Sequence, residues 1–206
     1  MIRTALEFIQ KELETYFVDR EQDPANYSAG NVVILSPLLG LDNAVLVDRG
    51  THVSAMVVGI TEERREGKRP YYLPIDEKNF AKVNPPVELE LFILFVAHNS
   101  NYETALRDLS TVVCYFQANP VFDEQKYPAL NATVVDPVAK PWQLIKRLSF
   151  RVVSLTFEQQ NNLWAMLGGK YLPSVVYKMT LLNVFDDRPK EAKVAIEELN
   201  LNENGL

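Results

Sequence analysis

Apolar residues alternate with a period of two between Val87 and Ala97, where Val87, Leu89, Leu91, Ile93 and Phe95 share one face of an extended chain. The opposite face begins with Glu88 and Glu90 and continues with Phe92, Leu94 and Val96. This pattern predicts a strand that starts at a wet rim and ends covered on both sides, hence a central position in a sheet. The period then changes: Tyr102, Ala105, Leu106, Leu109, Val112, Val113 and Phe116 recur at three- and four-residue spacings, one stripe of a helix. Ser100 with Glu103 three residues on reads as its capping box. Asn119-Pro120 ends it, Asn tolerating a left-handed turn and Pro being unable to continue. Each buried side chain of such a stripe contributes about 1.5–3 kcal/mol, against about 0–1 kcal/mol for a surface ion pair. The strand–helix unit is therefore the expected core.

Other elements follow from the same reading. Residues 1–18 place Ile2, Ala5, Leu6, Ile9, Leu13, Tyr16 and Phe17 on one helical face. Short apolar runs predict strands at 31–36, at Val53 to Ile60 with an extension through Thr61-Glu62, at Leu148 to Leu155 and at Val175 to Val184; Val45 to Val47 is an extension or an edge. Thr156 with Gln159 forms a capping box for a short helix through Leu163, Trp164 and Leu167, closed by Gly168-Gly169. The segment 63–86 has no clear period and reads as a long loop, either solvated or ordered by a partner. In the tail, Pro189 fits a first helical turn, and Ala192, Ile196 and Leu199 form a weak apolar stripe that either folds back or docks on a neighbour. The expected fold is α/β in the α+β sense: a mixed, mainly antiparallel sheet flanked by helices, with one domain over 1–185 and an arm over 186–206.

Composition narrows the function. The chain of 206 residues is 47% hydrophobic and 23% charged, enough for one substantial domain. A formal net charge of −6 argues against a general nucleic-acid binder while leaving room for local basic patches. The single Cys114 allows no internal disulfide and fits a reducing compartment. Glu7, Lys11, Glu12 and Glu14 interrupt the apolar run that a signal peptide needs, and no stretch approaches membrane-spanning length. Folding in the cytoplasm is the expectation.

Candidate chemistry is sparse. His52 and His98 lie far apart in sequence without Cys, Asp or Glu at ligand spacing, so strand-end positions are favoured over a metal site. Cys114 is mid-helix, with no neighbouring His or helix N-terminus to activate it. Gly168-Gly169-Lys170 follows a helix, whereas phosphate-binding glycines precede one. Glu62-Glu63 with Arg64-Arg65 reads as a solvated charge run, and no serine sits in a nucleophile elbow. No catalytic residue, metal or cofactor is expected.

Two clusters carry a family resemblance. One comprises Leu91 to Ala97, Asn101-Tyr102, Ala105-Leu106, Leu109-Ser110 and Phe116 to Phe122; the other runs from Glu158 to Ser174, with Tyr177 after it. In order and spacing, and over most of 1–185, the chain resembles the N-terminal domain of tail-terminator (cap) proteins of extracellular contractile injection systems, the antifeeding-prophage and virulence-cassette type. Its motif positions are Tyr102, Phe116, Asn119, Gln159, Trp164, Gly168, Tyr171, Pro173 and Tyr177. The resemblance implies a non-enzymatic hexameric ring that ends the inner tube and anchors the last sheath layer, with tube and sheath proteins as partners. It implies assembly in the bacterial cytoplasm and later residence in the released particle. Nucleic acid and membrane insertion have no place in it. In such a ring Arg64, Arg65, Lys68, Arg69, Lys190 and Lys193 are the expected interface residues and would need acidic partners. A monomeric adaptor or tether on a phage-tail-like particle is the alternative.

Overall fold

A computed structural model describes residues 1–30, 32–40, 42, 44–47, 51–63, 71–74, 79–83, 87–137, 143–184 and 191–194; at 63, 71–74, 79–83, 87, 182–184 and 191–194 it describes the backbone only. Helix α1 (Ile2–Glu21) leads into strand β1 (Val33–Leu35) and the long strand β2 (Val53–Glu63). Strands β3 (Tyr71–Pro74) and β4 (Asn79–Val83) precede β5 (Val87–Ala97), helix α2 (Tyr102–Ala118) and β6 (Val121–Asp123). A 3-10 turn at Pro128–Asn131, strand β7 (Arg147–Val153), helix α3 (Phe157–Leu167), β8 (Ser174–Val184) and β9 (Glu191–Val194) complete the order.

Six strands form one sheet in the order β1-β2-β5-β8-β7-β6. Only the β1–β2 pair is parallel; the other pairs in this sheet are antiparallel, as the pattern predicts. β5 lies between β2 and β8 and is covered on both faces. Leu91, Ile93 and Phe95 enter the larger core with α1 and α2, whereas Leu94 and Val96 enter a second core with Trp164 of α3 and with Leu38 and Val47 from the β1–β2 connection.

Aromatic rings fill the larger core. Phe116 stacks on Phe150 at 4.5 Å, lies tilted at 4.6 Å from Tyr177 and at 5.4 Å from Phe95. Phe122 meets Phe8 and Phe150 edge-on at 5.5 and 5.8 Å. Offset and edge-on pairs of this kind add about 0.5–1.5 kcal/mol beyond the area they bury.

Several expectations are corrected. Asn101, not Ser100, caps α2, its side chain accepting from the amides of Glu103 and Thr104; this starts the helix one residue later and removes Glu103 from the capping-box position. At the other end Asn119 is not left-handed (φ −128°); its amide group donates to the Tyr115 carbonyl and accepts from the Tyr127 hydroxyl. The buried face of α2 includes Asp108, Thr111 and Tyr115, while Tyr102, Leu106 and Val113 point outward. Tyr115 joins the aromatic cluster and Asp108 finds buried partners, so these residues outcompete the aliphatic stripe for the interior.

The segment 63–86 is not a plain loop. Within it β3 and β4 pair antiparallel, and β4 also pairs with β9, so the tail is a strand at 191–194 where a helix was expected. A weakly amphipathic isolated helix is marginal, and an open strand edge supplies backbone partners. Ile196 and Leu199 lie outside the described residues. By contrast, Thr156 and Gln159 make the predicted reciprocal cap of α3, and Gly168 ends it at φ 67°.

Phe116→Ala, which removes the ring at the centre of this cluster, is expected to cost roughly 3–5 kcal/mol. Urea unfolding followed by near-ultraviolet circular dichroism measures it; a loss below about 1 kcal/mol contradicts this packing.

Candidate functional site

Inside the domain, the fold gathers polar groups that sequence spacing keeps apart. Asp108 is fully buried on α2; Tyr27 donates its hydroxyl to Asp108 Oδ1 (2.7 Å), and His52 Nδ1 lies 2.9 Å from Asp108 Oδ2. Arg107 Nη2 donates to the Tyr27 oxygen at 2.6 Å, and Glu21 lies 3.6 Å from Arg107 Nε. Burial raises the Tyr27 hydroxyl pKa, and hydrogen bonding to Asp108 adds to the shift. His98 pairs with Ser54 Oγ at 2.6 Å and donates its backbone amide to the His52 carbonyl at 2.9 Å. Burial pushes the His98 imidazole down to about 4. Ser54 is fully enclosed, whereas His98 is half-buried. Among the described residues no group of three or more His, Cys, Asp or Glu could hold a metal ion.

The accessible candidate surface lies on the other side of the sheet. α3 is only eleven residues long and covers part of that face through Trp164, with Leu163 and Leu167 beside it. Next to it a groove of about 400 Å³ is lined by Val58, Gly59, Phe92, Leu155, Leu163 and Met166, with Gln159, Asn162 and Val176 also at its wall. None of these residues is charged. The floor is shaped by a bulge in β2, where the register with β5 shifts between Val57 and Gly59. A Cβ at position 59 would meet Phe92 at 3.4 Å. Phe157, the first residue of α3, is 93% exposed and Met166 66% exposed. Further along the same face Glu90 accepts from Lys178 at 2.6 Å, and both border a second, polar hollow with Ser149, Arg151 and Thr180.

The structure separates the sequence-predicted residues. Phe116, Trp164, Pro173 and Tyr177 are buried, and Gln159 and Gly168 serve the ends of α3. Asn119 ends α2, and Tyr171 is exposed with its ring edge-on to Trp164 at 5.6 Å. Tyr102, 62% exposed, stands on the outward stripe of α2 with Leu106 and Val113. Arg64, Arg65, Lys68, Arg69 and Lys190 lie outside the described residues. Lys193 falls in β9, its backbone opposite Phe80. Sequence reasoning missed the groove, Phe157 and the Asp108 cluster. Two signals pointed to the groove and to Phe157: Gly59 inside an apolar strand, which marks a bulge, and a large aromatic directly after a helix cap; none pointed to the Asp108 cluster.

A family model for the Pvc16 N-terminal domain matches residues 4–198. Two solved structures share the fold. The anti-feeding prophage cap (AFP tube terminating cap) superposes with a TM-score of 0.53 at 12% identity, covering 88% of this chain and 57% of that one. The PVC sheath/tube terminator of an extracellular contractile injection system, in its extended state, gives 0.52 at 11% identity, covering 91% and 61%. The chain thus spans about three fifths of the length of these two structures. No curated protein sequence matches it.

The His98 environment predicts an acid limb of stability. A folded-state pKa of about 4 lies below the ordinary 6.5, so the unfolded chain binds a proton that the folded one excludes. Stability is then lost as pH falls from about 6.5 towards 4. Urea midpoints measured across this range are expected to decline, and His98→Gln is expected to flatten the decline; an unchanged slope in the variant contradicts the assignment.

Proposed function

Because the chain belongs to the Pvc16 N-terminal domain family, we propose that it caps a contractile injection particle, closing the inner tube at the end distal to the baseplate and holding the last layer of sheath. The observation that carries this reading is a fold shared over 88% and 91% of the chain with two terminators of such particles. The cap is a homo-hexameric ring, with the tube protein on one side and the sheath protein on the other. It assembles in the bacterial cytoplasm and stays with the particle after release. Its role is structural and involves no catalysis. Residues 1–185 act as the ring-building unit and 186–206 as an arm, with Arg64, Arg65, Lys68, Arg69, Lys190 and Lys193 at the contacts.

Two surfaces suit a ring. The uncharged groove beside α3 and the outward stripe of α2 lie on opposite sides of the sheet, and a heterologous ring contact uses two different patches of each copy. Anchors such as Phe157 and Met166 typically dominate contact energy once they are desolvated.

Particles made without this protein are expected to carry overlong tubes and a sheath detached at the distal end under electron microscopy. Tubes of normal span with a fastened sheath defeat the proposal. The double substitution Phe157→Asp with Met166→Asp, at exposed positions, is expected to change stability by less than about 0.5 kcal/mol per site. It is expected nonetheless to lower the occupancy of caps on particle ends. Full occupancy would place the contact elsewhere on the molecule.

A further inference from the structure

His52 sits between two groups that can only accept hydrogen bonds. Its Nδ1 lies 2.9 Å from a carboxylate oxygen of Asp108 and its Nε2 lies 2.9 Å from the backbone carbonyl of Asn26. A neutral imidazole has one N–H and one lone pair, and so cannot serve both. The arrangement therefore holds one proton more than a neutral ring beside a carboxylate. The Asp108 oxygen that does not face His52 already takes the Tyr27 hydroxyl, whose own oxygen accepts from Arg107. That donor favours the negative form of Asp108 and leaves the extra proton on the ring. Tyr27 also stacks on His52 with centroids 4.3 Å apart, presenting a π face to the cation.

We infer that His52 is an imidazolium in the folded protein and fastens residues 22–30 to α2, a fastening that opens as the solution turns alkaline. Losing the proton would set a lone pair of Nε2 against the Asn26 carbonyl oxygen and turn a hydrogen bond into a repulsion. The fastened segment joins α1 to the edge strand β1, and Val32 accepts from the Val53 amide next to His52. Among the described residues, the charged and titratable groups around the ring are Asp108 and Arg107 on α2, Glu21 at the end of α1, Asp23 and Tyr27 in the segment itself, and His98 after β5. The hydrogen bond that His52 donates to Asp108 raises its pKa above 6.5, and burial opposes it. With the folded value raised, the stabilisation is fully present below about 6.5 and lost as pH rises through the folded value.

Two-bond imidazole nitrogen spectra of the full chain between pH 5.5 and 9.5 test this directly. Both His52 ring nitrogens are expected to be protonated at neutral pH, with a midpoint above that of free imidazole. Amide exchange protection at Asn26, Tyr27 and Val53, corrected for intrinsic exchange, is expected to fall by up to about tenfold per pH unit between 6.5 and that midpoint, the slope of one proton. Protection within α1 is expected to hold over the same range. His52→Gln, which always offers one donor and one acceptor, is expected to abolish the pH dependence. A His52 ring with one bare nitrogen at neutral pH overturns the inference, as does exchange in 22–30 that follows α1. Should the variant fail to fold, the wild-type spectrum decides alone.

Discussion

The covering of β5 on both faces is the constraint on which the rest of the molecule depends. A strand with Leu91, Ile93 and Phe95 on one side and Leu94 and Val96 on the other cannot be a sheet edge, and it cannot be satisfied by helices on one side only. α1 and α2 close the first side with an aromatic core. Among the described residues the second side is closed by a short helix and the crossing segment that contributes Leu38 and Val47. Beside that layer lies the groove. Groove and core are thus two parts of one sheet face, and the transition from one to the other falls beside Phe92 and the β2 bulge.

The polar interior follows a different rule. An enclosed carboxyl such as Asp108 is tolerable only when donors surround it, and Tyr27 and His52 meet that demand from a loop and from the start of β2. The two histidines, joined through one backbone hydrogen bond, are perturbed in opposite directions: His52 upwards by a buried carboxylate, His98 downwards by burial alone. Their combined effect confines the best-fastened state of this region to the neighbourhood of the ordinary histidine pKa.

Much of the architecture was legible because it is written in short windows. The alternation of β5, the capping box of Thr156 and Gln159, the terminating Gly168 and the mainly antiparallel sheet with a central β5 all rest on local period and local hydrogen bonding. The family resemblance was carried by the same segments, and most of its motif residues proved to hold cores and helix ends: Phe116, Trp164 and Tyr177 by packing, Asn119, Gln159 and Gly168 by capping. The exposed apolar face of α3 was less legible, since an exposed Phe157 or Met166 has the same one-letter appearance as a buried one.

By itself the sequence determined α1, the ends of α3, the long strands and the central place of β5, because burial and capping impose periods that a window of a dozen residues contains. Only the tertiary structure decided that Asp108 turns inward while Leu106 turns outward, that His52 lies beside Asp108 and His98 beside Ser54, and that the tail at 191–194 pairs with β4. Each of those outcomes depends on a partner distant in the chain. A buried charge or an open strand edge is stabilised by whichever group the fold delivers to it, and no local period encodes that delivery.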